Sequence, residues 1–139
     1  MKSLIFGVNN IQITKGKNKI ELSKIAIWNE YGTRTSPPRP AFRMGLDSSI
    51  RNNKKLIQAQ LKNITRKILT GRSSKIDENL IVLLTQIGRS AKKITKDMIK
   101  SRSISPGNAQ STIDRKGFDH PLYETGKLLD NVNYEVIDK

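Results

Sequence analysis

At 139 residues the chain has the length of one domain, taken as 1–139, and its 26 Lys and Arg against 12 Asp and Glu give a formal charge of +14, which favours polyanions or acidic protein surfaces as partners without specifying a fold. The absence of cysteine excludes disulfides, thiolate metal sites and a cysteine nucleophile. No apolar run approaches the roughly 18–20 residues that cross a bilayer; Leu4-Ile5-Phe6 imitates a signal peptide only until Gly7, Asn9, Asn10 and Gln12 interrupt it, so synthesis and use in the cytoplasm, away from membranes, is expected.

Leu4 to Thr14 is β-branched and aromatic with a partial period of two, and the turn chemistry of Lys15-Gly16-Lys17-Asn18 before Lys19-Ile20-Glu21-Leu22 predicts a hairpin. Ser23 to Tyr31 reads as a short helix on Leu22, Ile25, Ala26 and Asn29, although Ile25, Ile27 and Trp28 suit a strand as well. The three prolines between Gly32 and Pro40 fix φ and remove backbone donors, which predicts an extended arm over residues 33–43.

Leu46, Ile50, Ile57, Leu61, Ile64 and Ile68 recur mostly at steps of three and four and predict one helix of about five to six turns, ended by Gly71. A second helix is expected to start at Ser74, with Asp77 three residues on as in a capping box and Asp77 and Glu78 at the positive end of its dipole. Its buried stripe is Ile76, Leu80, Leu83, Leu84, Ile87, Ala91, Ile94 and Met98, and Arg89, Lys92, Lys93, Lys96 and Lys100 crowd its second half as candidate polyanion contacts. Residues 101–119, with Ser105-Pro106-Gly107-Asn108, are too polar to offset the entropy of ordering and read as a mobile loop. Thr125-Gly126 precedes a short helical Lys127-Leu128-Leu129, and Val132, Tyr134 and Val136 alternate with polar neighbours as a half-buried strand that closes the sheet. The expected fold is α+β: an antiparallel sheet packed against two long amphipathic helices, with an extended Pro-rich loop.

Two stretches hold the residues that shape backbone and make contacts: Asn29-Glu30-Tyr31-Gly32-Thr33 to Arg39-Pro40-Ala41-Phe42-Arg43, and His120-Pro121-Leu122-Tyr123-Glu124-Thr125-Gly126-Lys127-Leu128. With Ala26 before the first, Pro38 inside it, and Pro106, Asn108 and Lys116-Gly117 before the second, their order resembles the tailed-phage virion morphogenesis family over about Lys24 to Ile137. Family members commonly show Ile-Pro-Ala-Arg-Pro-Phe where this chain has Ser36-Pro37-Pro38-Arg39-Pro40-Ala41-Phe42, with one residue between Pro40 and Phe42.

The resemblance implies a structural virion protein of a phage or prophage, present in the virion and in the host cytoplasm during assembly. Such a protein acts at the head–tail junction in a ring, beside connector, neck or tail proteins, without enzymatic activity, cofactor, metal or small-molecule substrate. The candidate interface is Tyr31, Arg34, Arg39, Pro40, Phe42 and Arg43: aromatics dominate interface energetics and arginines pair bidentately with carboxylates. Tyr31 and Phe42 can equally plug the core. Arg39, between two prolines, is expected to face outward, so that Arg39→Glu leaves the fold intact and blocks head–tail joining.

Gly32 and Gly126 are expected at turns or left-handed positions rather than in a phosphate loop. Two rival readings remain. A basic accessory protein would bind DNA without reading sequence, and the Gly71–Ser74 connection has the length of a helix-turn-helix turn. A metal nuclease would have to use Asp114, Asp119 and the single histidine, His120, which form no recognisable catalytic spacing.

Overall fold

The computed structural model describes residues 2–15, 17–72, 75–101, 107, 110, 113–114 and 126–138. The expected cap Ser74, the metal candidates Asp119 and His120, most of the expected mobile loop 101–119, and His120 to Thr125 of the second motif lie outside the described residues.

The chain is α+β. Strand β1 (Lys2–Val8) leads into β2 (Gln12–Lys15) and β3 (Asn18–Glu21), followed by helices α1 (Leu22–Tyr31), α2 (Ala41–Asn52), α3 (Lys54–Leu69) and α4 (Ile76–Lys100), the short α5 (Lys127–Asp130), and β4 (Val132–Asp138). The hairpin forms as expected, with β2 and β3 antiparallel and Ile13 opposite Ile20. The strand read over Leu4 to Thr14 divides, however, at residues 9–11. Its first half pairs with β4 instead, from Lys2 opposite Asp138 to Val8 opposite Val132, so the single expected sheet is two separate two-stranded ones. Asn9 N–H donates to the Asn131 carbonyl at 2.9 Å and continues the ladder past the strand ends. Lys2 Nζ and Asp138 Oδ2, 2.8 Å apart, pair at its other end, where that hydrogen bond raises the lysine's pKa and lowers the aspartate's.

The single helix expected from Leu46 to Ile68 is two. It begins earlier, at Ala41, and breaks at Asn53, whose side-chain amide donates to the Ser49 carbonyl at 2.8 Å; a local side-chain bond of this kind competes with the helical ladder. At the other end Gly71, at φ +68°, stops α3 as expected. The Arg72 N–H reaches back to the Lys67 carbonyl and the Gly71 N–H to that of Ile68, the paired closure that a left-handed residue permits.

Helix α4, roughly 37 Å long at 1.5 Å per residue, packs against both α2 and the β1–β4 sheet. It buries Leu83, Ile87, Gly88, Ala91, Thr95 and Ile99. Both contacts depend on small residues. On α2 the buried positions are Ala41, Gly45 and Ser49, four apart, and not the larger Leu46 and Ile50 that set the predicted stripe; Ile50 is in fact exposed. A Cβ at Gly45 would overlap Thr95 Oγ1, and Ser49 Oγ donates to the Ile87 carbonyl at 2.8 Å. On the sheet side a Cβ at Gly88 would come within 2.7 Å of the Tyr134 ring and 2.9 Å of Leu4 Cδ1. Helix axes separated by glycine, alanine and serine approach closely, and backbone and short polar groups then make contacts that bulkier side chains would hold apart.

Two buried clusters complete the core. Ala41, Ile99, Leu129 and Val132 form one, and Leu22, Ala26 and Leu128 the other. Phe42 packs against both, with its ring 5.6 Å from that of Phe6 and tilted by 58°, a tilted aromatic pair worth about 1 kcal/mol beyond area burial. No helix among the described residues is long and apolar enough to cross a membrane.

Candidate functional site

The first motif folds into a junction between α1 and α2. Gly32 ends α1 at φ +78°, and a side chain there would meet Pro38 N at 2.8 Å and the Ser36 carbonyl at 2.9 Å. Only glycine combines that backbone with that clearance. Thr33 closes the turn: its N–H donates to the Ser36 carbonyl at 2.9 Å, and its Oγ1 accepts from the Ser36 N–H at 3.1 Å and the Thr35 N–H at 3.3 Å. Beyond the prolines, the Arg39 N–H donates to the Asn29 carbonyl at 2.6 Å, and the chain returns to α1.

Glu30 then reaches across to the next helix. Its carboxylate accepts the Phe42 N–H at 3.1 Å and the Arg43 N–H at 2.8 Å, two of the first-turn donors that α2 cannot satisfy itself. Pro40, preceding Ala41, supplies no side-chain cap, so a carboxylate from α1 does the capping, at the positive end of the α2 dipole. Glu30→Ala is expected to cost about 1–2 kcal/mol. Chemical denaturation should show Glu30→Gln intermediate, since it retains one carbonyl acceptor without the charge.

This arrangement separates the candidate interface residues. Tyr31 is 76 % exposed, and Arg34 and Arg43 are exposed beside it in the chain. Phe42 belongs to the core, and Pro40 is half-buried as the residue leading into α2. Arg39 is not outward: it is 8 % exposed, and its guanidinium Nη2 donates to the Gly107 carbonyl at 2.8 Å. The expectation that Arg39→Glu leaves the fold intact is corrected by that burial.

Sequence reasoning missed the neighbours that accompany Tyr31. Lys24, Ile27, Trp28 and Tyr31, spaced three, one and three apart, share the solvent side of α1 and are all exposed. The opposite side buries Leu22 and Ala26. The signal was present in Ile27 and Trp28, but either a helix or a strand could hold those residues. Exposed aromatic and aliphatic side chains gathered on one helix face, with Lys24, Arg34 and Arg43 nearby in the chain, are typical of a protein contact.

The second candidate site stays together. Arg89, Lys93, Lys96 and Lys100 share one face of α4, and Lys92 lies at its border with the buried line through Ala91, Thr95 and Ile99. Arg89, Lys93 and Lys100 are exposed and Lys92 and Lys96 half-buried; Lys92 Nζ donates to Asn133 Oδ1 at 3.3 Å. Among the described residues none of the five lies within salt-bridge distance of a carboxylate.

Of the nuclease candidates, Asp114 is exposed and accepts a hydrogen bond from Gln110 Nε2 at 2.9 Å. Among the described residues no three histidine or acidic side chains gather as metal ligands. A shallow groove of about 330 Å³ runs along α3 beside Ala59, Gln60, Lys62, Asn63 and Arg66. Comparison with protein families, with characterised proteins and with solved structures finds no match.

Proposed function

We propose that the protein is a structural component of a tailed-phage or prophage virion that acts at the head–tail junction as one copy in a ring, docking to a neighbouring copy or to a connector or tail protein through the outer face of α1. The observation that carries this reading is the exposed Ile27, Trp28 and Tyr31 face of α1, on the helix whose Glu30 caps α2 at the exposed Arg43. A surface already rigid loses little entropy on docking, aromatics anchor interfaces, and flanking cations select an acidic partner. The motif order that resembles the virion morphogenesis family supplies the biological setting.

The test is electron microscopy of particles from cells whose phage or prophage lacks this gene, complemented with wild type or with Trp28→Ser/Tyr31→Ser. Filled heads and unattached or abnormal tails are expected for the deletion and for the double variant. Normal virions in the deletion would overturn the assembly role; normal virions with the double variant alone would move the interface off α1.

The basic face of α4 favours a second reading, sequence-independent contact with DNA. Fluorescence anisotropy with a random duplex would then show affinity falling as salt rises, with a log–log slope of about −0.9 per phosphate contacted. Lys93→Ser/Lys100→Ser would reduce that slope by about two.

A further inference from the structure

Ile57, Leu61, Ile64 and Ile68 recur along α3 at steps of four, three and four, the spacing that lines up one helix face for a partner helix. α4 covers only part of this stripe. Ile64 is buried and Ile57 half-buried, whereas Leu61 and Ile68 are 51 % and 59 % exposed. The cause is the rotation of α3 about its own axis: its less exposed positions are Leu56, Ile57, Gln60, Ile64 and Lys67, a face centred near Gln60, so the apolar stripe lies along the border of the helix contact. Gln60 Oε1 is buried there without a hydrogen-bond partner among the described residues, which a contact centred on the isoleucines would have avoided.

The charges of α3 identify what would cover the stripe: by helical spacing Lys54 and Lys67 border it, and Lys55, Lys62 and Arg66 lie further round the helix. α3 contains Lys54, Lys55, Lys62, Arg66 and Lys67 and no acidic residue, and Arg72 and Lys75 extend the run, seven cations with no carboxylate over residues 54–75. A second copy of the chain would bring the same cations against these. Duplex DNA has no use for Leu61 and Ile68. A bilayer would need a broad apolar face, yet the middle of this stripe, Ile64, is already turned into the protein. The remaining partner chemistry is a helix with apolar residues on one stripe and carboxylates beside it.

We propose that α3 is a docking face for an acidic amphipathic helix of another protein, whose apolar side chains settle on Leu61 and Ile68 and whose carboxylates meet the α3 cations. This is helix-in-groove recognition, with apolar anchors giving affinity and charge giving register and partner choice. The site is separate from the α1 face and does not depend on the virion reading.

The full chain would be titrated by fluorescence anisotropy with a labelled synthetic helix of about six turns, carrying leucine at heptad spacing and glutamate at the flanking positions, and with the same helix carrying lysine for glutamate. The glutamate helix is expected to bind at least about tenfold more tightly, a difference of about 1.4 kcal/mol, and to weaken as salt rises. Leu61→Ser/Ile68→Ser, which alters only exposed side chains and should melt within a few degrees of wild type, is expected to weaken it by about tenfold or more. Equal binding of the two helices, or binding indifferent to the double variant, would overturn the proposal. So would a Leu61- and Ile68-dependent dimer in analytical ultracentrifugation. Binding to phosphatidylglycerol vesicles or to duplex DNA that the double variant abolishes, without binding of the glutamate helix, would assign the face to a different partner and equally overturn it.

Discussion

Arg39→Glu should lower the melting temperature by on the order of 10 °C or more, reflecting a loss of about 3–5 kcal/mol. Arg39 is 8 % exposed, and its guanidinium donates to the Gly107 carbonyl at 2.8 Å in a part-buried contact. Glutamate is shorter, cannot donate, and would place an anion near a carbonyl oxygen; leaving a buried charge uncompensated is among the more damaging single changes a small domain can suffer. Arg39→Lys keeps the charge and one donor and should lose roughly 1–2 kcal/mol. Both are read by urea denaturation of the purified chain, where an unchanged midpoint for Arg39→Glu would show the side chain to be turned outward. A loss of head–tail joining in this variant would accordingly report misfolding rather than a missing contact, so the virion phenotype has to be sought with Trp28 and Tyr31.

Gly45→Ala is the second large effect, and its sign is diagnostic. On an ordinary helix the change stabilises by about 1 kcal/mol, because alanine is the better helix former. Here the new methyl would overlap Thr95 Oγ1 and lie 3.1 Å from Thr95 Cβ, in a contact where Thr95 and Ser49 are both fully buried. Overpacking of this kind costs about 1–3 kcal/mol, so a net loss of up to about 2 kcal/mol is expected, and separation of α2 from α4 would also stretch the Ser49–Ile87 hydrogen bond. Thr95→Ala in the same chain removes the colliding oxygen and should restore at least half of the loss, giving a coupling energy of about 1 kcal/mol or more in a double-mutant cycle. Additive effects of the two substitutions would show that α2 and α4 do not meet at this point.

These two positions also show what could and could not be read from the sequence. The hairpin, the stop at Gly71 and the last strand were legible because each is dictated locally, by turn residues, periodicity or a glycine at positive φ, whereas α1 was legible only in part, its residues suiting a strand as well. The α2 contact was not, since hydrophobic periodicity gives weight to Leu46 and Ile50 and none to Gly45 and Ser49, the residues that touch α4. Smallness is a signal only when the partner helix is known. Arg39 misled for a related reason: a charged residue between prolines reads as solvent-facing until the fold supplies a backbone carbonyl, from Gly107, some 68 residues away in sequence. The capping role of Glu30 could not be read from the motif that contains it, because it depends on how α1 and α2 meet. The α4 cations, by contrast, were placed together by helical spacing alone.

The ladder between Lys2–Val8 and Val132–Asp138 has a consequence for biosynthesis. The first strand leaves the ribosome long before the last exists; at about 5–20 residues per second, the backbone of Lys2–Val8 waits roughly 6–25 seconds for its ladder partner. During that interval α4 can form and collapse on α2, since those partners are close in the chain, but the sheet cannot. Folding therefore finishes after synthesis of β4, its last step closes a loop of more than a hundred residues, and its rate is governed by that closure. Until then the nascent chain presents an unpaired apolar strand to chaperones and to its own unfinished neighbours.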